Sequence, residues 1–210
     1  MDVISQDEVQ ALFTRADGSY LCARWGRPVV PVVFGVQDES LPVIKGAFEA
    51  VVALAGHSMA ETDPELGANL MVFFVRDWVE LLAVPDMDRL VPELAGLVAR
   101  LEAAAANQYR IFRFDPDGAI KAAFVFLRMD AYLAAVPAEV LALAQAVQTV
   151  LLWSDRAFTD GSPLGRVGDQ VILRPEIAAV IRAAYDPVLP MMARDAGHAL
   201  RLVARIGRVS

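Results

Sequence analysis

The stretch from Tyr109 to Trp153 constrains this chain more than any other. Tyr109–Phe114 and Ala119–Met129 flank Asp115-Pro116-Asp117-Gly118, a turn signal between two apolar runs, and so predict a β-hairpin. A helix is expected next, over about Pro137–Trp153, with Val140, Ala144, Val147 and Leu151 on one face. Strands joined by a short turn run antiparallel, so the sheet that receives them cannot be wholly parallel.

The rest of the chain is read around that unit. Ser5 and Glu8 form a capping box and Ile4 with Val9 its staple, predicting a helix to about Thr14. Asp17-Gly18 turns the chain into a short strand over Tyr20–Trp25. Val29–Val36 reads as a strand that Pro31 confines to an edge or a bulge, because proline cannot donate to a ladder. Ser40 is expected to cap a helix carrying Leu41, Ile44, Phe48, Val51, Val52 and Ala55, with Gly56 just past its end. Gly67–Val75 is apolar enough for a strand covered on both faces. Asp86–Ala106 predicts an amphipathic helix with Leu90, Leu94, Leu97 and Leu101 in one stripe. Phe158–Gln170 reads as a loop. A helix from Pro175 then buries Ile177, Val180, Ile181 and Ala184 and closes at Asp186-Pro187. The order β-α-β-α-β-β-α-loop-α-α predicts one α+β domain over residues 1–210. A small mixed sheet packs on the Ser40–Ala55 and Asp86–Ala106 helices, and the C-terminal part is helical.

Charge narrows the partners. The chain has 26 acidic and 19 basic side chains, a formal charge of −7, which works against nucleic acid or anionic lipid as a main partner. Arg194, Arg201, Arg205 and Arg208 make the tail locally basic and are expected on a solvated face. No window approaches the roughly 20 apolar residues of a membrane span. Met1-Asp2-Val3-Ile4-Ser5 has neither the basic start nor the apolar core of a signal peptide. A cytoplasmic location is therefore expected, or a periplasmic one if the true start lies upstream. A single cysteine, Cys22, excludes an internal disulfide framework and is expected to be a small buried apolar residue. Trp78, Val79, Leu81, Leu82 and Val84 crowd one segment. They either close the core beneath a turn capped by Asp77 or leave an apolar patch for a homodimer or protein partner.

Zinc-dependent hydrolases place two histidines four residues apart, with a glutamate between them, on a helix that follows such strands. Here that helix reads Gln145-Ala146-Val147-Gln148-Thr149. The two histidines of the chain, His57 and His198, have no second histidine at helical spacing. Neither a metal nor a cofactor is expected. His57 with Glu61, Asp63 and Glu65 reads as an exposed acidic loop after a helix, and His198 as a partner for the C-terminal end of the last helix. Asp155 and Asp160 are the candidates for general acid–base work, although turn and cap roles account for both. There is no Gly-x-Ser-x-Gly elbow, and Gly165-Arg166-Val167-Gly168 lacks the spacing of a dinucleotide loop. Gln145 and Thr149 share a helix face, with Gln148 one step away. They are either the solvated side of the helix or the lining of a polar cleft for a peptide strand or small ligand.

Several segments together resemble a family. Leu173-Arg174-Pro175-Glu176 and Ile181-Arg182-Ala183-Ala184-Tyr185-Asp186-Pro187-Val188-Leu189 look like a closing helix with a Tyr-Asp-Pro-x-Leu ending. Phe158-Thr159-Asp160, Gly67-Ala68-Asn69 and Phe114-Asp115 with Gly118 also fit. The chain resembles, over about Phe13 to Leu189, uncharacterised bacterial proteins with a zincin-like, metalloprotease-related fold, some of them described as lipoproteins. That family tends to carry glutamates where this chain has Ala144 and Gln145, and an Asn-Asp pair where it has Ser154-Asp155; Gln148 is kept. The resemblance implies a zincin-like domain whose cleft lacks zinc-binding histidines, with Tyr185 joining Gln145, Gln148 and Thr149 as cleft candidates. Two roles follow: a non-catalytic binding or interaction module, which is the reading preferred, or a metal-independent hydrolase using Asp155 or Asp160.

Overall fold

The computed structural model describes residues 4–207, so the readings at Met1, Asp2, Val3 and Arg208 lie outside the described residues. In chain order the first half forms α1 (Gln6–Phe13), β1 (Cys22–Ala23), β2 (Pro31–Phe34), α2 (Leu41–Leu54), β3 (Leu70–Val75), α3 (Met87–Leu90) and α4 (Leu94–Ala103). The second half forms β4 (Gln108–Phe114), β5 (Ile120–Arg128), α5 (Ala131–Ala134), α6 (Ala138–Val150), β6 (Leu164–Val167), β7 (Gln170–Leu173), α7 (Pro175–Ala184), β8 (Met192–Ala193) and α8 (Gly197–Ile206). The architecture is mixed α+β with small sheets, and no helix among the described residues is long and apolar enough to cross a membrane.

The main sheet has the order β2-β3-β5-β4. β2, β3 and β5 run parallel, and β4 is antiparallel to β5 at one edge. The expected hairpin is present, with Tyr109 opposite Phe126 and Ile111 opposite Phe124. Its turn needs Gly118, whose φ is 85° and where a Cβ would come within 2.6 Å of Met192. Alternation along the strands separates two cores. Leu70, Val72, Ala123, Val125 and Leu127 face the layer built from α2, α6, α7 and α8. Phe73, Val75, Phe124 and Phe126 face the layer of the 3-10 turn Trp78–Ala83, α3 and α4. The α2 and α4 helices therefore cover opposite faces of one sheet, and β3 and β5 are buried on both sides, as their nearly unbroken apolar runs require.

Sequence and structure part company at several points. The helix expected over Asp86–Ala106 is two helices: Pro92 forces Val91 into an extended conformation, and Glu93 restarts the chain with φ at 58°. The Tyr20–Trp25 strand is regular only at β1, which pairs with β8; Arg24 and Trp25 form single bridges to Leu151 and Ile120. Ser40 starts α2 without a side-chain cap, because a 3-10 turn at Asp38–Ser40 precedes it and leaves Ser40 in a helical conformation. The loop expected at Phe158–Gln170 contains β6, which forms a hairpin with β7 around Gly168. The Pro137–Trp153 helix ends early at Val150, since residues 151–154 are drawn out to bond α1 and β1.

Two further expectations change character. The Asp63 loop is not exposed at that residue. Its carboxylate is buried, accepts from the Glu65 and Leu66 amides and from Asn69, and meets Arg27 at 3.4 Å. Burial alone would raise its pKa; the backbone amides, Asn69 and Arg27 outweigh this and hold it at about 2. His198 lies in the first turn of α8, far from its C-terminal end, and is buried with Nδ1 3.0 Å from the Tyr20 hydroxyl. Burial, with Arg201 adding to it, lowers its pKa to about 4, so it is neutral at pH 7. Arg194 and Arg201 are exposed, Arg201 beside Asp195, while Arg205 is half-buried against Asp186 rather than on a solvated face.

Candidate functional site

The hairpin leaves β4 at the rim of the sheet, with no strand on its far side among the described residues. Opposite it the chain leaves α6 in an extended course. Leu152 donates its amide to Ala23, Ser154 donates its own to Leu12, and the Trp153 indole donates to the Val147 carbonyl at 2.8 Å. Phe13 stacks on Trp153 at 5.2 Å, and Phe158 meets the same indole edge-on. These contacts fix a wall facing the edge strand. Between wall and strand lies a cleft of about 530 Å³, lined on the strand side by Tyr109, Arg110, Phe112 and Phe114 and opposite by Gln148, Trp153, Asp155 and Phe158.

Arg110 points from β4 toward α6. Its Nη2 donates to Gln108 Oε1 at 3.0 Å and to Gln145 Oε1 at 2.5 Å, and Gln145 Nε2 donates to Gln108 Oε1. The Nε is buried without a partner. Burial pushes the guanidinium down to about 10, which still leaves it charged at neutral pH. Arg15, in the turn after α1, lines the same cleft, and its Nε is also buried and unpartnered. Neither arginine forms an ion pair among the described residues.

The candidates from sequence fall into three groups. Gln148 and Asp155 line the cleft. Gln145 and Thr149 lie behind it at 2% and 1% exposure, so they are not a solvated face: Gln145 holds Arg110, and the Thr149 hydroxyl donates to the Gln145 carbonyl at 2.6 Å. The helix is buried on more sides than its apolar stripe implied: α2 packs along it, and Gln108 and Arg110 of β4 cover Gln145. Tyr185 is outside the cleft. Its hydroxyl donates to the Val150 carbonyl at 2.8 Å and accepts from the Trp25 amide, pinning α7 to the end of α6.

The carboxylates separate as well. Asp155 is exposed on the cleft rim and accepts from the Ala16 amide at 3.0 Å, while Asp160 is exposed and does not line the cleft. Cys22 is buried, which pushes its thiol up to about 12 and leaves it unreactive. His57 is half-buried with Nε2 2.8 Å from the Arg27 carbonyl, a structural contact. Among the described residues no three side chains of His, Cys, Asp or Glu come together as metal ligands would.

Arg110 and Arg15 were not singled out from sequence. The signal for Arg110 was present: it sits two residues before Phe112, on the inward face of an alternating strand, where an apolar residue belongs. Arg15 had no such signal, since a turn residue gives no direction. Comparison with protein-family models, with curated proteins and with solved structures finds no match to this chain.

Proposed function

We propose that this chain is a non-catalytic binding module that takes up an extended peptide segment along β4, in a cleft of degenerate metalloprotease type. The observation that carries the reading is the pairing of a seven-residue open edge strand with a built cleft beside it. An open edge offers a row of amides and carbonyls, and a peptide that adds a strand satisfies them while its alternate side chains enter the cleft. The zincin-like assignment draws support from the same layout: a mixed sheet, an antiparallel edge strand, and a helix that follows the hairpin and forms the cleft's other side. At the positions where the zinc motif would stand, that helix carries Gln145, Ala146 and Thr149, and a guanidinium rests on Gln145.

The hydrolase alternative asks for a carboxylate that is partly buried beside the cleft, with a raised pKa. Exposure of Asp155 and Asp160 favours binding instead. A bound peptide at β4 is separate from the homodimer or protein partner expected at the Trp78–Val84 cluster. Self-association rests on Val79 and Leu82, each 50% exposed, since Trp78 and Leu81 are buried. The test is a pair of capped extended peptides, one with proline at alternate positions so that it cannot form a ladder. Binding by the unsubstituted peptide alone is expected. Equal binding of both, or turnover of a broad hydrolase panel that disappears in Asp155→Asn or Asp160→Asn, contradicts the proposal.

A further inference from the structure

Four arginines in the described residues have a buried Nε without a partner: Arg15, Arg24, Arg110 and Arg128. Two of them are otherwise satisfied. Arg24 gives its Nη groups to the Tyr185 and Leu189 carbonyls at the end of α7, and Arg128 pairs with Asp130. Among the described residues the other two, Arg15 and Arg110, form no ion pair and line one cleft, whose lining holds a single carboxylate, Asp155 on the rim. A guanidinium taken partly out of water with too little counter-charge is unfavourable, so two of them against one exposed carboxylate point to an anion that is brought from outside. Arg110 is moreover held in place by Gln108 and Gln145, which orient it but cannot neutralise it.

The strand geometry says what carries that anion. Along β4, Gln108, Arg110, Phe112 and Phe114 share the face toward α6, while Tyr109 and Ile111 pack toward the opposite core and border the cleft only at its strand rim. A strand added to β4 keeps the same pleat, so its residue across from Arg110 points into the cleft, and its residue two positions on faces Phe112. Resting on the peptide-strand reading above, we infer that the occupant is an extended peptide with an Asp or Glu side chain against Arg110, assisted by Arg15, and an apolar side chain two positions away against Phe112. Asp155, also in the cleft, opposes this acid and sets a limit on its affinity. The overall charge of −7 does the same at low salt.

The experiment uses the full chain and a library of capped octapeptides of alternating β-branched residues, made in pairs with glutamate or glutamine at the fourth position. A charge-assisted bond to a partly enclosed guanidinium corresponds to about tenfold to a hundredfold tighter binding of the glutamate member. Arg110→Gln and Arg110→Met should remove that preference while leaving the glutamine peptides bound, Arg110→Lys should restore part of it, and Asp155→Asn should strengthen the glutamate peptides about twofold. Equal binding of both members overturns the acid-recognition proposal and leaves peptide-strand binding standing. A glutamine peptide that regains affinity with a free C-terminus overturns the side-chain source in favour of a terminal carboxylate. Binding of neither member, with acetate still perturbing the Arg110 Nε–H resonance, contradicts the peptide reading itself and leaves a small-anion site. No acetate response and no peptide binding overturns both.

Discussion

The two edge strands of the sheet are finished in opposite ways. β2 is four residues long and begins at Pro31. Just before it, Val29 bridges Met59, and Asn69 bonds the Val30 amide and the Pro28 carbonyl while its amide also reaches Asp63. That edge is short and proline-bearing, which guards against unwanted strand pairing, and a largely apolar groove of about 900 Å³ runs beside it, lined by Pro31, Val33, Ile44 and Phe48. β4 is seven residues long, contains no proline, and is flanked by a cleft with, among the described residues, two arginines that form no ion pair and one carboxylate, Asp155. One sheet thus carries an edge shortened by proline beside an apolar groove and a long edge beside a cationic cleft. The difference lies in charge: the groove beside β2 sets Asp38, Glu49 and Glu61 against Lys45, and the cleft beside β4 sets Arg15 and Arg110 against Asp155.

Removing the buried Asn69 network should give the largest effect. Asn69→Ala strips three bonds from a residue that is 1% exposed and leaves a buried amide, a carbonyl and the Asp63 carboxylate short of partners. A loss of about 3 kcal/mol is expected, on the order of 6–12 °C in Tm, read by calorimetry. Arg110→Met should behave differently: stability is expected to change by less than about 1 kcal/mol, because an uncompensated charge leaves with its bonds. A loss of several kcal/mol would make Arg110 a structural residue and erase the contrast.

Acid should act away from the β4 cleft, at His198 and at the Asp63 network. His198 has its pKa lowered from 6.5 to about 4, so the unfolded chain binds more protons than the folded one between those values. Stability is therefore expected to fall as pH drops from about 6.5 to about 4. Asp63, depressed from 3.8 to about 2, extends the loss below pH 4 and loosens the Asn69 network at the β2 edge. Urea titrations at pH 7, 5, 4 and 3 check the slope, which His198→Gln should flatten between pH 6.5 and 4. The smallest effect is expected at Val79 and Leu82. Substituting both by aspartate should change stability by less than about 0.5 kcal/mol, and light scattering at micromolar concentration shows whether any dimer depends on them.

How much of this was legible in the sequence depended on range. The hairpin, the central strand at Leu70–Val75, the proline-limited edge and the inward face of α7 follow from local chemistry and alternation, and all are present. The Asp86–Ala106 helix failed because the leucine stripe was read across Pro92, where the missing donor and the restricted Val91 break it. The polar face of α6 was legible as a pattern but not as a place. Whether Gln145 meets water or another strand is decided by β4, 35 residues earlier in sequence than its contact. Arg110 and Arg15 come together only through tertiary packing, so no spacing rule could pair them. Tyr185 shows the converse, a residue singled out by a motif that the fold uses as a pin between α6 and α7.

The most direct test of the open-edge account is amide hydrogen exchange, residue by residue, with and without a saturating glutamate octapeptide. The outward amides of β4 should exchange readily in the free protein and become protected by at least tenfold on binding, with β2 unchanged. Protection that appears at β2 instead, or a bound peptide that leaves the β4 amides exchanging as before, would contradict it.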